Sequence, residues 1–457
     1  MTSEELKALD VKTKDGVKFG KELKKEFPTD NRWRNLNHGS FGTYPLAIRK
    51  ALRSFQDRVE ARPDEFIRYT YPKLLDESRE AMSKLLNAPT AELVFVTNAT
   101  TGVNIVLRSL TYEPGDHILY FSVIYGACER TVTYITETTP ASAAKIEYIS
   151  PVEDDWLLSA FRSKVKEVEE AGGKVKVAIF DTVVSNPGIR SPFERLTEAC
   201  RELGVLSCID GAHGVGHIEL DLGKLDADFF VSNCHKWLHV PRGCAIFHVP
   251  VRNQHLIRST LPTSHGFIPL PKEGEKVINP LPPSDTPKSD FELNFEYVGT
   301  LDNSPYLCVP AALAWRLQLG GEKAIIDYNQ TLSRLGAQQV AKILGTKVLD
   351  NETRTLTKCC MANVLLPLDA EAVLAQGVEA GIEKDSVMVE ARTWINRILN
   401  DEYLTFLVIM FYGGQWWVRL SAQVYLDMED YEWAGETLKQ VCERVKKGEW
   451  TVKKGLL

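Results

Sequence analysis

Between Glu92 and Val249, short β-branched runs alternate with longer amphipathic stretches, a pattern that predicts parallel strands joined by crossover helices. ELVFV at 92–96, DHILYFS at 116–122, and then VKVAIFDTVV, VLSCIDGA and DFFVSN read as strands, while TNATTGVNIVLRSL reads as a helix. The last three strands end in polar or small residues, and ligand sites of open α/β sheets gather at such carboxyl ends. Beyond Pro305 the pattern changes to helices around two apolar strands, LTFLVIMFY and WWVRLSAQVY, with Gly413, Gly414 and Gln415 as a hairpin turn. The final helix places Ala434, Leu438, Val441, Cys442 and Val445 on one face, the spacing of a core stripe. Residues 268–290 hold six of the 22 prolines and many charges, which predicts a surface loop. The expected architecture is α/β: an N-terminal segment (1–39), a large domain with a mainly parallel sheet (40–305) and a smaller α+β domain (306–457).

Composition narrows the function classes. With 54 Lys and Arg against 61 Asp and Glu, the net charge of −7 argues against a broad nucleic-acid or anionic-membrane surface. No apolar run is long enough to span a bilayer, and the charged amino terminus lacks a signal-peptide core, so no membrane partner is expected. Nine irregularly spaced cysteines do not form a secreted disulfide framework and fit a reducing, cytoplasmic setting.

Three strand ends carry candidate chemistry. Lys236, in SNCHKW, follows an apolar strand, where desolvation favours the neutral amine able to form a Schiff base; a solvated lysine is the alternative. Asp210, in VLSCIDGA, could protonate a pyridine nitrogen or simply cap the next helix. Thr100 and Thr101 open a helix where free N–H groups favour a phosphate, although N-capping is the plainer reading. Their order along successive strands argues against coincidence. His213 and His217, like His235 and His239, have the spacing of a helical metal pair. The first pair follows a glycine-rich turn, however, and HKWLH contains Lys236 and lacks a zinc-protease glutamate, so no metal is expected.

The segments RNLNHGSFGT, TNATTGVN, IDGAHGVG, SNCHKW, FEYVGTLDNSP and VRLSAQ resemble the class V aminotransferases, a family of fold-type I pyridoxal-phosphate enzymes, along nearly the whole chain. PRGCAIFHVPVRNQHLIRSTLPTSHGF is similar to fungal enzymes of the hercynylcysteine sulfoxide lyase and loline-pathway types. The resemblance implies pyridoxal 5'-phosphate as cofactor, bound to Lys236 as a Schiff base, with Asp210 at the pyridine nitrogen and His213 near the cofactor oxygen or ring. It implies phosphate contacts from Thr100, from the backbone at Ala99 and Thr101, and from His235. Thr300 would reach the phosphate of a neighbouring subunit, so a homodimer with shared sites is implied. Arg419 and His38 would contact the substrate, Arg419 through its carboxylate. Tyr125 would stack on the ring and protonate a departing sulfur group. No cysteine lies between Cys360 and Arg419, which disfavours a persulfide relay. The implied reaction is β-elimination from a cysteine-derived amino acid or its sulfoxide, releasing pyruvate and ammonia. FYGGQWW, just before Arg419, lacks the arginines expected of a sulfoxide lyase and leaves Mannich-type ring closure or epimerisation as alternatives.

Overall fold

A computed structural model describes residues 7–259, 261–267, 269 and 287–452. Seven strands form the main sheet: β1 (Leu93–Val96), β2 (Asp116–Phe121), β3 (Ser142–Ile146), β4 (Lys174–Asp181), β7 (Leu206–Asp210), β8 (Phe229–Asn233) and β9 (Ala245–His248), with the short ribbon β5 (Val183–Val184) and β6 (Ile189–Arg190) beside it. Their order is β1-β9-β8-β7-β4-β2-β3. The β2, β3, β4, β7 and β8 pairings are parallel, and only β9 runs against its two neighbours. Every residue of β1, β8 and β9 is buried, which explains their largely apolar sequences.

Helix α1 (Ala99–Ser109) follows β1, and α2 (Gly126–Thr138) follows β2. A single turn, α3 (Cys234–Trp237), continues directly from β8. The carboxyl-terminal part builds α4 (Glu322–Leu344) and α5 (Met428–Lys446) against a three-stranded sheet in the order β10-β12-β11, with β10 at Met361–Leu365, β11 at Val408–Tyr412 and β12 at Gln415–Ser421. The hairpin turn is Gly413 and Gly414 alone, at φ +57° and +75°, and Gln415 is already in β12. Two consecutive positive φ values suit a type I′ turn, which glycine enters without strain. The apolar run at 404–412 becomes strand only from Val408. The face from Ala434 to Val445 is buried at all five expected positions.

The amino-terminal segment joins the two sheets. Leu36 accepts the Ser421 N–H at 2.8 Å, and Val424 accepts the Gly20 N–H. Next comes the turn His38–Phe41, which brings Gly42 against α3. Gly42 lies at φ +64°, and a Cβ there would fall 1.9 Å from the His235 carbonyl oxygen, so only glycine permits this approach. Of the expected loop at 268–290, only 269 and 287–290 are among the described residues. Among the described residues no helix is long and apolar enough to cross a membrane. All nine cysteines are buried free thiols.

Candidate active site

The site lies where the carboxyl ends of β4, β7 and β8 meet β12 and the amino-terminal segment. Lys236 leaves β8 on α3, and its Nζ lies 3.1 Å from His213 Nε2. The residue is partly exposed, yet burial around the amine pulls it down to about 8 despite the opposing pull of Asp210 and Asp181. An amine in that range is neutral often enough near physiological pH to act as a nucleophile.

Asp210 ends β7 directly beside Asp181, the end of β4. Burial raises both carboxyls and the mutual repulsion raises Asp181 further, well above its ordinary range. Asp210 accepts the Ala212 N–H at 2.9 Å and the Cys128 thiol at 3.2 Å, bonds that favour its charge. Asp210 is therefore the more readily ionised carboxyl of the pair. Cys128 and Asp181 carry no signal of this in the sequence. They become neighbours of Asp210 only through the parallel pairing of β4 with β7 and the docking of α2.

The turn before α1 is more selective than its threonines predict. Asn98, extended at φ −166°, caps the helix and accepts the Thr101 N–H at 2.8 Å. Asn233 Oδ1 accepts the Ala99 N–H at 2.9 Å. A phosphate contact from the Ala99 or Thr101 backbone would therefore have to displace Asn233 or Asn98 as acceptor. Thr101 Oγ1 is likewise turned to Asn98 and Thr97. Thr100 keeps its amide and hydroxyl available, and Asn233 adds an amide group that sequence inspection missed. His235 donates through Nδ1 to the Cys244 carbonyl at 3.0 Å, and burial lowers its ring to about 4. A cavity of about 590 Å³ adjoins this turn, lined by Thr100, Thr101, Asn104, Arg108, Gly299 and Leu301 among others. The two last residues flank Thr300, which is exposed and shares a hydrogen bond with the Tyr297 hydroxyl.

Arg419 stands on β12, 1% exposed. Its terminal nitrogens donate to the Ser185 carbonyl at 2.7 Å, Ser185 Oγ at 3.2 Å, Asn37 Oδ1 at 2.8 Å and Ser40 Oγ at 2.9 Å, while Nε has no partner. Among the described residues no carboxylate touches it, and burial brings the guanidinium down to about 10. Gly188 makes room for its stem, since a Cβ there would lie 2.8 Å from Arg419 Cδ. A buried cation held by neutral acceptors and lacking a counter-ion is a receptor for an anion.

His38 has hydrogen-bond partners at both ring nitrogens. It is fully buried, donates through Nε2 to the Lys236 carbonyl at 2.6 Å and accepts the Tyr425 hydroxyl at Nδ1, 2.9 Å away. With both nitrogens engaged, it supports the backbone that carries Lys236. Tyr125 sits at the amino end of α2, 48% exposed. Its helix brings Cys128, three residues after Tyr125, to Asp210.

Residues 66–383 match the aminotransferase class-V family. The chain belongs to that family. It is 36% identical over 442 residues to an L-cysteine desulfhydrase-like protein of Epichloe uncinata, covering 94% of this chain and 97% of that one. The hercynylcysteine sulfoxide lyase of Schizosaccharomyces pombe is 29% identical, over 93% and 98% of the two chains. Among solved structures, a cystine C–S lyase in complex with cysteine persulfide superposes with a TM-score of 0.70 at 18% identity, covering 90% of this chain and 99% of that chain. That likeness confirms the fold-type I architecture.

The class-V chain is accordingly a pyridoxal-phosphate-dependent enzyme, and its residues fit the cofactor. A neutralisable buried amine, a buried carboxylate one strand away, and unspent donors at Thr100 on a helix amino terminus are the groups that an aldehyde, a pyridine nitrogen and a phosphate require. The pH dependence of cofactor uptake follows. Only the neutral amine attacks the aldehyde, so the uptake rate of the apoprotein should rise with pH through a midpoint near 8 and level off above it. Stopped-flow absorbance across pH 6.5–9.5 reads this directly, and a rate still climbing at pH 9.5 would mean an unperturbed lysine.

Proposed function

We propose that the enzyme is a C–S lyase that performs β-elimination on a cysteine-derived amino acid or its sulfoxide, releasing pyruvate and ammonia, and that it works as a homodimer. The observation that carries the amino-acid part is the buried Arg419 guanidinium without an acidic partner. The C–S lyase part is supported by the relatives, which are named L-cysteine desulfhydrase-like protein and hercynylcysteine sulfoxide lyase.

Bound pyridoxal phosphate supplies an electron sink for charge developing at the substrate Cα. Lys236 holds it, Asp210 would meet its pyridine nitrogen, and Thr100, Asn233 and His235 would hold its phosphate. Arg419 would clamp the substrate carboxylate through its two terminal nitrogens by exchanging the neutral acceptors of Ser185, Asn37 and Ser40 for it, which fixes the orientation of the Cα bonds. The Lys236 amine, neutral in part near physiological pH, removes the Cα proton. Cα and Cβ then keep the electron pair of that C–H bond as a double bond while the Cβ–S bond breaks, and Tyr125 delivers a proton to the departing sulfur. Water afterwards releases the three-carbon fragment as pyruvate and ammonia. Thr300, exposed in one chain, is free to complete the phosphate site of a second copy.

A panel of L-cysteine, S-substituted cysteines, their sulfoxides and a long-chain N-substituted amino acid, analysed by mass spectrometry, tests the reading. Pyruvate with a freed sulfur product supports it. A cyclised or epimerised product that retains its sulfur substituent rejects it. Tyr125→Phe should slow elimination about 100-fold with cofactor affinity retained. An unchanged rate would reduce Tyr125 to a packing residue.

A further inference from the structure

The buried histidines around Lys236 form a hydrogen-bonded chain whose proton positions are fixed by groups that can only donate or only accept. The Cys360 backbone N–H lies 2.7 Å from His217 Nε2, so that nitrogen is an acceptor. His217 Nδ1 must then carry the ring proton, which it donates to the His213 carbonyl at 2.8 Å. The Trp237 indole N–H, 3.1 Å from His213 Nδ1, has no lone pair to offer. His213 Nδ1 is therefore also an acceptor, and the neutral ring bears its proton on Nε2. That proton faces Lys236 Nζ at 3.1 Å. An ammonium there would set N–H against N–H, whereas a neutral amine accepts the bond.

We propose that Trp237 is a positioning residue that locks His213 as its Nε2–H tautomer, and that this N–H holds the Lys236 side chain as a free amine ready for the cofactor. The inference rests on the cofactor assignment and not on the choice of elimination over other fates of the substrate. Trp237 is suited to the task because it cannot turn away. It is 1% exposed, with its ring stacked on His217 at 4.0 Å and 22°. Its backbone carbonyl accepts Arg316 Nη1 at 2.8 Å, which pins the same residue from the other side. His213 is 2% exposed, so no water replaces the indole as its partner.

The other charges facing the amine do not by themselves select the neutral form. Asp210 on β7 and Asp181 on β4 favour the ammonium, whereas Arg419 on β12 and burial disfavour it. Burial above all, with the Arg419 charge beside it, keeps the His213 ring uncharged. The direction of the His213 N–H is thus a contribution beyond desolvation, and it depends on a single indole hydrogen.

Trp237→Phe tests this, since the phenyl ring keeps the stack on His217 and removes only the donor. His213 is then free to move its proton to Nδ1 and accept from a Lys236 ammonium. The midpoint for pyridoxal phosphate uptake by the apoprotein should rise by about one pH unit or more, because a hydrogen bond to a charged group is exchanged for one opposing it. An unchanged midpoint in a folded variant overturns the assignment. Nitrogen-15 spectra of ring-labelled histidine in the apoprotein give a readout independent of the cofactor, with His213 identified by its loss in His213→Asn. A protonated Nε2 and bare Nδ1 are expected in the parent protein, and a protonated Nδ1 overturns the assignment even if Trp237→Phe does not fold. Failure of the parent protein to take up the cofactor at any pH would count against the enzyme assignment, while the nitrogen-15 spectrum would still decide the tautomer.

Discussion

Lys236→Ala should lower turnover roughly 10,000-fold or more while leaving the protein folded. One amine does two jobs, attachment of the cofactor and removal of the Cα proton, and the geometry offers no substitute. His213, the nearest other base, has its Nε2 proton directed at Lys236 and its Nδ1 occupied by Trp237. Burial also keeps that ring well below its ordinary pKa, so it is a poor proton acceptor. His235 is committed to the Cys244 carbonyl. The fold should survive because, among the described residues, the Lys236 amine hydrogen-bonds to His213 alone, whereas the backbone of α3 is held by His38. The visible absorption band of the bound cofactor should disappear from the variant, and circular dichroism should be unchanged. A variant that retains a hundredth of the parent rate would mean that another group takes the Cα proton.

Arg419→Gln should lower kcat/KM for an amino-acid substrate roughly 30- to 5,000-fold, the equivalent of the ~2–5 kcal/mol attached to truncating one partner of a buried charge pair. The loss should concentrate in KM if the guanidinium only anchors the carboxylate, and should extend to kcat if it also sets the Cα bond that breaks. The second outcome is expected. Arg419 is held from Ser185, Asn37 and Ser40 on two separate segments, so its fork is rigid before substrate arrives. The variant should also discriminate less between an amino acid and the corresponding amine without a carboxylate. Equal losses for both compounds would indicate a structural role, since Ser185, Asn37 and Ser40 lose a shared donor in either case. Measuring both substrates with parent and variant separates the two effects.

Much of the site was legible from motif order. Asp210 and Lys236 come together because β7 and β8 are parallel neighbours, while Thr100 opens the helix after β1, which the antiparallel β9 separates from β8. Strands are readable from their apolar runs. Arg419 was legible as a family position and gains its physical meaning from the absence of any acid beside it. What the chain did not disclose is how local hydrogen bonds are spent. The amides of Ala99 and Thr101 look available in TNATTGVN until Asn233, from a distant strand, and Asn98 claim them. His38 looks like a polar residue in a glycine-rich turn, and only the docking of that turn on α3 shows both of its nitrogens in use. Asp181 reads as one more strand-end acid until β4 pairs with β7. Trp237 reads as core, which it is, and its single N–H matters because of what it faces. A sequence shows which groups are present, but their donors and acceptors are paired off by the tertiary fold.

The C–S lyase assignment is tested most directly by the stoichiometry of elimination. The purified holoenzyme would be given an S-substituted L-cysteine and its sulfoxide, with substrate loss, pyruvate, ammonia and the sulfur product followed together. One pyruvate and one ammonia for each substrate consumed, matched by one freed sulfur fragment and abolished in Lys236→Ala, is the predicted result. Substrate consumed without pyruvate, with the C–S bond intact in a cyclised or inverted product, would contradict it.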